Sequence, residues 1–120
     1  MTRTILTVDD STSMRQMVKA TLQSAGYGVV EAADGQEALD YARENSVDLV
    51  ISDVNMPRMD GITLIGELRQ LPAYRLTPML MLTTESSQEK KQEGKRVGAT
   101  GWIVKPFNPT QLLATLKRLL

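Results

Sequence analysis

"VDLVIS" at residues 47–52 and "MLMLT" at residues 79–83 are apolar at nearly every position. Strands covered by helices on both faces have this composition, whereas edge strands are shorter or more mixed. Shorter or more mixed aliphatic runs occur at residues 4–8, 28–32 and 102–104. The two apolar runs are therefore predicted to lie at the centre of a sheet, with residues 28–32 and 102–104 at its edges.

Helix-like segments separate these runs, so strand and helix alternate five times along the chain. The clearest segment has one apolar stripe, which predicts an amphipathic helix that ends at Gly26 and buries that stripe. The stripe consists of Met14, Met17, Val18, Thr21, Leu22 and Ala25. Because each helix carries the chain back along the sheet, the strands are predicted to be parallel. The expected fold is a flavodoxin-like (βα)5 three-layer α/β sandwich with strand order 2-1-3-4-5.

The composition limits the class of protein. A chain of 120 residues with 42% hydrophobic residues can build one packed core, so we expect a single domain over residues 1–120. Lys and Arg number 14, as do Asp and Glu, and no basic block with aromatic residues occurs, so we expect no nucleic-acid binding. The chain has no Cys and no His, which excludes disulfides, thiolate or histidine metal ligands, and Ser/His or Cys/His catalytic pairs.

The sequence also carries no targeting signal. It has no run of about 18 apolar residues and no signal-like apolar segment, so we expect a cytoplasmic, soluble protein without membrane insertion. The sequence ends at Leu120 inside the last predicted helix. We therefore expect no attached DNA-binding or enzymatic domain.

Acidic residues follow two of the predicted strands: Asp9 and Asp10 follow the first, and Asp53 follows the third. In such a sheet the binding site forms at the carboxyl ends, where strand order reverses, here between strands 1 and 3. Three bare carboxylates there would repel one another, and at least one would be driven towards its protonated form. A divalent cation removes this conflict. Oxygen ligands without His or Cys favour Mg²⁺, or Mn²⁺, held by one or two carboxylates, a backbone carbonyl and waters.

The other two strand ends carry groups that suit a phosphoryl group. Strand 4 ends in Thr83 and Thr84, whose hydroxyls can donate hydrogen bonds to phosphoryl oxygens. Strand 5 is followed by Lys105, whose ammonium can pair with the same oxygens. Acid, metal, hydroxyl and ammonium at one edge predict phosphoryl transfer to a carboxylate. Asp53 is the predicted nucleophile because it ends the central strand.

Each of these residues also has a simpler interpretation when it is taken alone. Asp10 could cap the first helix, and Asp53 could be a solvated strand end. Lys105, which precedes Pro106, could belong to an ordinary surface turn. Independent surface chemistry gives no reason for all of them to follow strands at one edge, so their conjunction favours a site. Asp60, in contrast, is expected to cap the third helix rather than bind metal.

Four motifs carry a resemblance to a known family: "VDD" at 8–10, "SDVNMPRMDG" at 52–61, "LTT" at 82–84 and "GWIVKPF" at 101–107. With them the chain resembles, over its whole length, the bacterial response-regulator receivers, and most of all the single-domain chemotaxis regulators. The resemblance implies that Asp53 accepts a phosphoryl group from a histidine kinase, which fits the absence of His in this chain. It also implies a Mg²⁺ site made by Asp9, Asp10, Asp53 and the backbone carbonyl of Asn55.

The resemblance implies further roles at the same edge. Thr83 matches the switch hydroxyl and Lys105 matches the phosphate-pairing lysine. Trp102 stands at the switch aromatic, which is usually Tyr or Phe, so the set point of the switch is expected to differ. Thr84 replaces a smaller Ala or Ser and is expected to narrow access to the acyl phosphate.

Two positions resemble the family's tuners of self-dephosphorylation, namely Asn55 and Glu85, and their polarity favours a short-lived phosphoryl group. The Lys105–Pro106 peptide bond is expected to be cis, which would aim the lysine into the site. We expect a downstream target protein to bind the face formed by helix 4, strand 5 and helix 5.

Two other functions stay open. One is a phosphatase with an aspartyl-phosphate intermediate, as in the haloacid dehalogenase family. That family has Asp-x-Asp-x-Thr after its first strand, whereas this chain has "DDST" at residues 9–12. The other is a docking module with a vestigial site, against which the completeness of the acidic, hydroxyl and lysine set argues. A receiver would carry out only self-phosphorylation and self-dephosphorylation.

The fourth helix, predicted over residues 86–97, is expected to be the loosest element. Its inward stripe, which begins at Ser87 and includes Gly94, offers little apolar area. Gly94 costs about 1 kcal/mol of helix propensity relative to Ala, so we attribute this glycine to mobility. The alternative is that Gly94 allows the helix to sit unusually close to the sheet.

Overall fold

The computed structural model describes residues 2–84 and 88–120. Within them, five strands alternate with five α-helices, and a 3₁₀-helix precedes the fourth strand. The elements are β1 (Thr4–Val8), α1 (Thr12–Ser24), β2 (Gly28–Ala32), α2 (Gly35–Glu44), β3 (Leu49–Ser52), α3 (Gly61–Gln70), the 3₁₀-helix (Pro72–Tyr74), β4 (Met79–Thr83), α4 (Gln88–Val97), β5 (Gly101–Val104) and α5 (Pro109–Leu119). In these two ranges no helix has both the length and the apolar character needed to cross a membrane.

The strands form a parallel sheet in the order β2-β1-β3-β4-β5, which confirms the predicted fold. β3 and β4 are buried along their whole length, whereas β2 and β5 are mostly half-buried, as expected for strands at the centre and at the edges. β3 is two residues shorter than the run that predicted it, since it begins at Leu49 rather than Val47.

Apolar side chains fill the space on both faces of the sheet. One buried cluster joins the sheet to α2 and α3 and includes Leu6, Val50, Leu39, Leu64 and Leu68. A second joins it to α1 and α5 and includes Ile5, Ile51, Val18, Leu22 and Leu112. Complete burial of one such side chain stabilises the fold by about 1.5 to 3 kcal/mol. The two clusters make the predicted three-layer sandwich and hold the strand ends in place.

Side-chain caps decide where α1 and α3 begin. The Ser11 hydroxyl accepts a hydrogen bond from the Met14 amide at 3.2 Å, so Ser11 is the N-cap of α1 and the alternative that Asp10 caps it is wrong. The Asp60 carboxylate accepts one from the Thr63 amide at 2.7 Å, which confirms Asp60 as the N-cap of α3. Asp10 therefore has its carboxylate available at the sheet edge.

α1 buries a narrower stripe than its sequence predicts. Val18 and Leu22 are buried, but Met17 is 56% exposed, so the prediction that Met17 belongs to the core is wrong. Successive residues of an α-helix are about 100° apart around its axis, and Met17 falls beside the row that contacts the sheet. Met14 lies nearer to that row and packs partly against the second cluster. After the helix, Gly26 adopts a φ of 91°, as an αL residue at a helix end does.

Gly94 of α4 lies against the ring of Trp102 on β5. A Cβ atom added at Gly94 would lie 2.9 Å from Cζ3 of that indole, which is closer than two nonbonded carbons approach. The attribution of Gly94 to mobility is therefore wrong, and close packing explains this glycine. Ser86 and Ser87, with which the predicted fourth helix began, lie outside the described residues.

We expect the Gly94→Ala variant to be less stable than a Gly66→Ala control by about 1 to 3 kcal/mol, because only the first places a methyl group against a ring. Both glycines lie in helices, so both variants gain the same helix propensity. At Gly66 the nearest atoms to an added Cβ belong to Val97 at 3.7 Å, an ordinary contact. Urea unfolding measures the difference. An equal gain in the free energy of unfolding in both variants would show that the indole ring moves aside without cost.

Candidate functional site

Three carboxylates meet at the carboxyl-terminal edge of the sheet. Asp9 and Asp10 follow β1 and Asp53 follows β3, and one oxygen of each lies within 4.8 Å of the others. β1 and β3 are neighbours with Val8 opposite Ser52, so their ends lie side by side. Asp9 and Asp53 are buried, whereas Asp10 is exposed. Asp53 is therefore not the solvated strand end of the simpler interpretation.

Backbone groups next to each buried carboxylate fix its orientation. One oxygen of Asp9 accepts a hydrogen bond from the Ser11 amide at 2.9 Å, and one oxygen of Asp53 accepts from the Val54 amide at 2.8 Å. The Arg15 guanidinium donates to the Asp9 carbonyl at 2.6 Å, which fixes the chain just before the first helix. In each carboxylate the second oxygen remains for Lys105 or a ligand.

Lys105 enters the same space from β5. Its ammonium nitrogen lies 2.8 Å from Asp9 Oδ2 and 3.4 Å from Asp53 Oδ2, and its side chain is only 11% exposed. Its amide donates to the Thr83 carbonyl at 2.8 Å, so the end of β4 holds its backbone in place. The Lys105–Pro106 peptide bond is cis, as expected. Lys105 is thus part of a buried ion-pair network and not of a surface turn.

Burial and charge act together on the protonation of this network. Burial raises the pKa of Asp53, and the Asp9 carboxylate raises it further, while Lys105 opposes the shift. Burial alone would lower the pKa of Lys105, but its contacts with Asp9 and Asp53 raise it above the ordinary value. Lys105 is therefore charged at neutral pH. Among the described residues, the Lys105 ammonium contacts two of the three carboxylates, Asp9 and Asp53, so net negative charge remains at the site.

The remaining predicted residues lie around this centre or outside the described chain. Thr83 is buried at the end of β4, opposite Val104 of β5, and Thr84 is exposed. Asn55 is exposed in the loop that follows β3. Trp102 is half-buried on β5, with its ring towards α4 rather than among the carboxylates. Glu85 lies outside the described residues.

Sequence reasoning missed two residues that shape the site. Arg15 was not singled out, although its place one turn after the Ser11 cap puts it beside the end of β1. Gly61 is the second: an added Cβ there would overlap the Asp53 carbonyl oxygen and lie 2.7 Å from the Met81 methyl group. The glycine directly after Asp60 was the available signal, since glycine has no Cβ and therefore permits a close approach of the backbone.

Comparison with known proteins identifies the family. A family model described as "Response regulator receiver domain" matches residues 5–117. The chain belongs to this family. The chemotaxis protein CheY4 of Vibrio cholerae matches this receiver domain over 100% of both chains, with a TM-score of 0.96 and 59% sequence identity. The receiver domain of a Pseudomonas aeruginosa sensor histidine kinase, solved with a magnesium ion in its active-site cleft, is 28% identical over 99% of this chain and 98% of that one, with a TM-score of 0.92.

Some relatives of this receiver domain are longer. The transcriptional regulatory protein SrrA of Staphylococcus aureus is 37% identical over 120 residues, which are 100% of this chain and 48% of SrrA. The chain thus spans about half the length of the curated relatives that it matches. Receiver domains of two-component systems interact with a histidine kinase and with downstream targets, and they are signalling proteins rather than conventional enzymes. Family membership therefore favours the signalling hypothesis over the phosphatase.

The donor atoms of this receiver fit a hard divalent cation. The acidic group offers oxygen only, the ligand type that Mg²⁺ selects, and receiver domains bind Mg²⁺ at an aspartate cluster. Carboxylate oxygens within 4.8 Å of one another are close enough for the three aspartates to hold one cation. Asp10 is exposed, which leaves the cation a path from solvent.

We expect Gly61→Ala to damage this site as well as the fold, because the new methyl group would displace the Asp53 backbone and the Met81 side chain. The free energy of unfolding should fall by about 1 to 3 kcal/mol or more, and the affinity for Mg²⁺ should fall with it. Gly66→Ala is again the matched control. Chemical unfolding and calorimetric Mg²⁺ titration measure the two effects, and unchanged values in Gly61→Ala would contradict the close approach.

Proposed function

We propose that this receiver domain is the phosphorylation switch of a chemotaxis-like two-component system, and that Asp53 accepts the phosphoryl group from a histidine kinase. The observation that carries the proposal is the convergence of Asp9, Asp53 and Lys105 at one edge of the sheet. We further propose that residues 1–120 work as one domain, which is monomeric. The high similarity to CheY4 of Vibrio cholerae over both whole chains supports the chemotaxis assignment.

The reaction that we propose uses Asp53 as the nucleophile. A carboxylate oxygen forms the new O–P bond while the P–N bond to the kinase histidine breaks, and the electron pair of that bond stays on the leaving nitrogen. Asp9, Asp10, Asp53 and the Asn55 carbonyl would hold Mg²⁺, or Mn²⁺, which supplies positive charge to the ionised nucleophile and the phosphoryl oxygens. Lys105 is then free to turn its ammonium from the carboxylates to a phosphoryl oxygen.

The signal would leave the site along β4 and β5. Thr83 ends β4 and its hydroxyl is the proposed switch donor to a phosphoryl oxygen. Trp102, on the neighbouring strand, is the proposed moving aromatic. Asn55 and Glu85 are the proposed tuners of self-dephosphorylation, and Thr84 is expected to narrow the approach of water.

We propose that the downstream target binds the face formed by α4, β5 and α5. A groove of about 340 Å³ between α4 and β5 supports this choice, since the Trp102 ring and the side chains of Lys91 and Lys95 line it. Val104 adds an exposed apolar side chain on β5. An apolar ring beside two cations favours a target segment with an apolar anchor and acidic neighbours.

We expect Asp53→Asn to abolish uptake of a phosphoryl group from a small donor such as acetyl phosphate in the presence of Mg²⁺. Intact-mass spectrometry should show one added phosphoryl group, sensitive to hydroxylamine, in the wild type and in an Asp60→Asn control, because Asp60 only caps α3. Steady release of phosphate by many turnovers would favour the phosphatase, and no uptake by the wild type would favour the docking module. Uptake by Asp53→Asn at the wild-type rate would refute the assignment of the nucleophile.

Trp102 is the only tryptophan of the chain, so its emission reports directly on the proposed switch. We expect beryllofluoride and Mg²⁺, which together mimic the phosphoryl group, to shift that emission, because the ring packs on Gly94 at the groove. The Asp53→Asn variant under the same conditions is the control and should show no shift. Unchanged emission in the wild type, with binding established by calorimetry, would mean that the indole does not move.

A further inference from the structure

An ion pair joins the loop after β3 to the start of α2. The Arg58 guanidinium donates two hydrogen bonds to Asp34 Oδ2, from Nε at 3.0 Å and from Nη2 at 2.6 Å. The other oxygen of Asp34 accepts from the Glu37 amide at 2.8 Å and caps α2. One carboxylate therefore serves a helix end and an arginine of a different loop at the same time.

Arg58 needs this support because of its backbone. Its φ is 66°, a left-handed backbone conformation that residues other than glycine rarely adopt. The neighbouring backbone is compact, with the Met59 amide donating to the Pro57 carbonyl at 2.7 Å. The start of α2 also packs closely against this turn, since a Cβ added at Gly35 would lie 2.6 Å from the Met59 carbonyl oxygen. The Arg58 side chain and the bare backbone of Gly35 together hold the turn against α2.

The turn lies in the loop that carries Asn55. That loop leaves the sheet at Asp53 and closes where the Gly61 amide donates to the Val54 carbonyl at 2.8 Å. The Asn55 peptide lies between these fixed points, two residues after Asp53 and three residues before Arg58. A metal-binding group that is already oriented in the free protein gives higher affinity for the metal. The conformational entropy of that group is lost when the protein folds and not when the metal binds.

We propose that Asp34 and Arg58 are positioning residues for the divalent cation: their ion pair holds the loop so that the Asn55 carbonyl points to the cation site before the cation arrives. The inference rests on the proposed function, because that function makes the Asn55 carbonyl a ligand. Hydrogen bonding from the Glu37 amide, with a further contribution from Arg58, keeps the pKa of Asp34 below its ordinary value. The carboxylate is therefore ionised at neutral pH and available to Arg58.

The test compares two Asp–Arg ion pairs, one that joins the start of α2 to the loop after β3 and one within α2. Asp34→Asn keeps a capping side chain and loses the charge, and Arg58→Gln removes the guanidinium. The controls are Asp40→Asn and Arg43→Gln, which break an exposed pair of 3.5 Å on the same helix. For each single variant and for the double variants, calorimetry measures the dissociation constant for Mg²⁺ on the intact protein. Amide exchange in EDTA measures the protection of Met59 and Gly61, and urea unfolding in EDTA measures stability.

We expect Asp34→Asn and Arg58→Gln each to weaken Mg²⁺ binding about two- to fivefold, the size that a partly exposed ion pair supports. The double variant should bind as each single one does, because either change breaks the same pair. Protection of Met59 and Gly61 should fall in both, and the controls should bind Mg²⁺ as the wild type does.

Two results would overturn the inference. If the wild type binds Mg²⁺ and the Asp34 and Arg58 variants bind it equally well, the ion pair has no positioning role. If these variants then lose only stability, the ion pair serves to stabilise the fold. If the wild type does not bind Mg²⁺ at all, the proposed function fails and the inference fails with it. Asp10→Asn, which weakens a proposed ligand directly, separates these cases because it should lower the affinity even where the ion pair has no effect.

Discussion

The contact on which the rest of the site depends is that of the Lys105 ammonium with Asp9 and Asp53. Two buried carboxylates cannot both stay ionised in a poorly solvated place unless positive charge lies beside them. Lys105 supplies that charge from a strand that is not adjacent to either aspartate's strand. Removing one partner of a buried ion pair costs about 3 to 5 kcal/mol of stability. The network therefore depends on the sheet, which holds the ends of β1, β3 and β5 in register. The two apolar clusters provide that rigidity.

The charges of this network are incompletely neutralised, and the remaining negative charge makes it a ligand-binding site. A group of charges that is fully neutralised within the protein would have little affinity for a cation or a phosphoryl group. The three carboxylates against one ammonium leave negative charge at an edge where Asp10 reaches solvent. The raised pKa of Asp53 expresses the same imbalance, because burial and the Asp9 charge both favour the neutral acid. A ligand that brings positive charge opposes this shift and favours the ionised form of the Asp53 carboxylate.

The sequence was sufficient for those features that depend on pattern. Apolar runs with helices between them specify a parallel sheet and its order, and the sheet brings Asp9, Asp53 and Lys105 together without further information. The errors concern packing at close range. Gly94 has low helix propensity wherever it stands, and only the structure shows that an indole occupies the space of its missing side chain.

Arg58 is a second case in which sequence pattern was insufficient. No propensity predicts an arginine with a φ of 66°, because the carboxylate that stabilises it lies 24 residues away, at the start of α2. Met17 shows the opposite problem. Helical spacing identified the right face of α1, but the width of the buried stripe depends on how the helix sits on the sheet. Contacts between distant segments therefore had to be seen before these residues could be explained.

Packing also limits how a change at Asp53 can reach the face formed by α4, β5 and α5, which we propose as the target-binding face. The guanidinium of Arg69 donates to the Gly98 carbonyl from Nε at 3.2 Å and Nη2 at 2.8 Å, and to the Tyr74 carbonyl at 2.6 Å. These bonds fasten the chain just beyond the last turn of α4 to α3. Because Gly94 lies on the Trp102 ring one turn earlier, the indole cannot turn towards the helix unless α4 moves as well.

We infer that a rotation of α4 about its carboxyl-terminal end costs less than a translation of the whole helix, because translation would break the hydrogen bonds from Arg69 to the Gly98 carbonyl. Such a rotation displaces the other end of the helix most. It would change the width of the groove that Lys91 and Lys95 line, while the core beneath stays packed. A signal that begins as one covalent bond at Asp53 would then be read as a change in the shape of that groove.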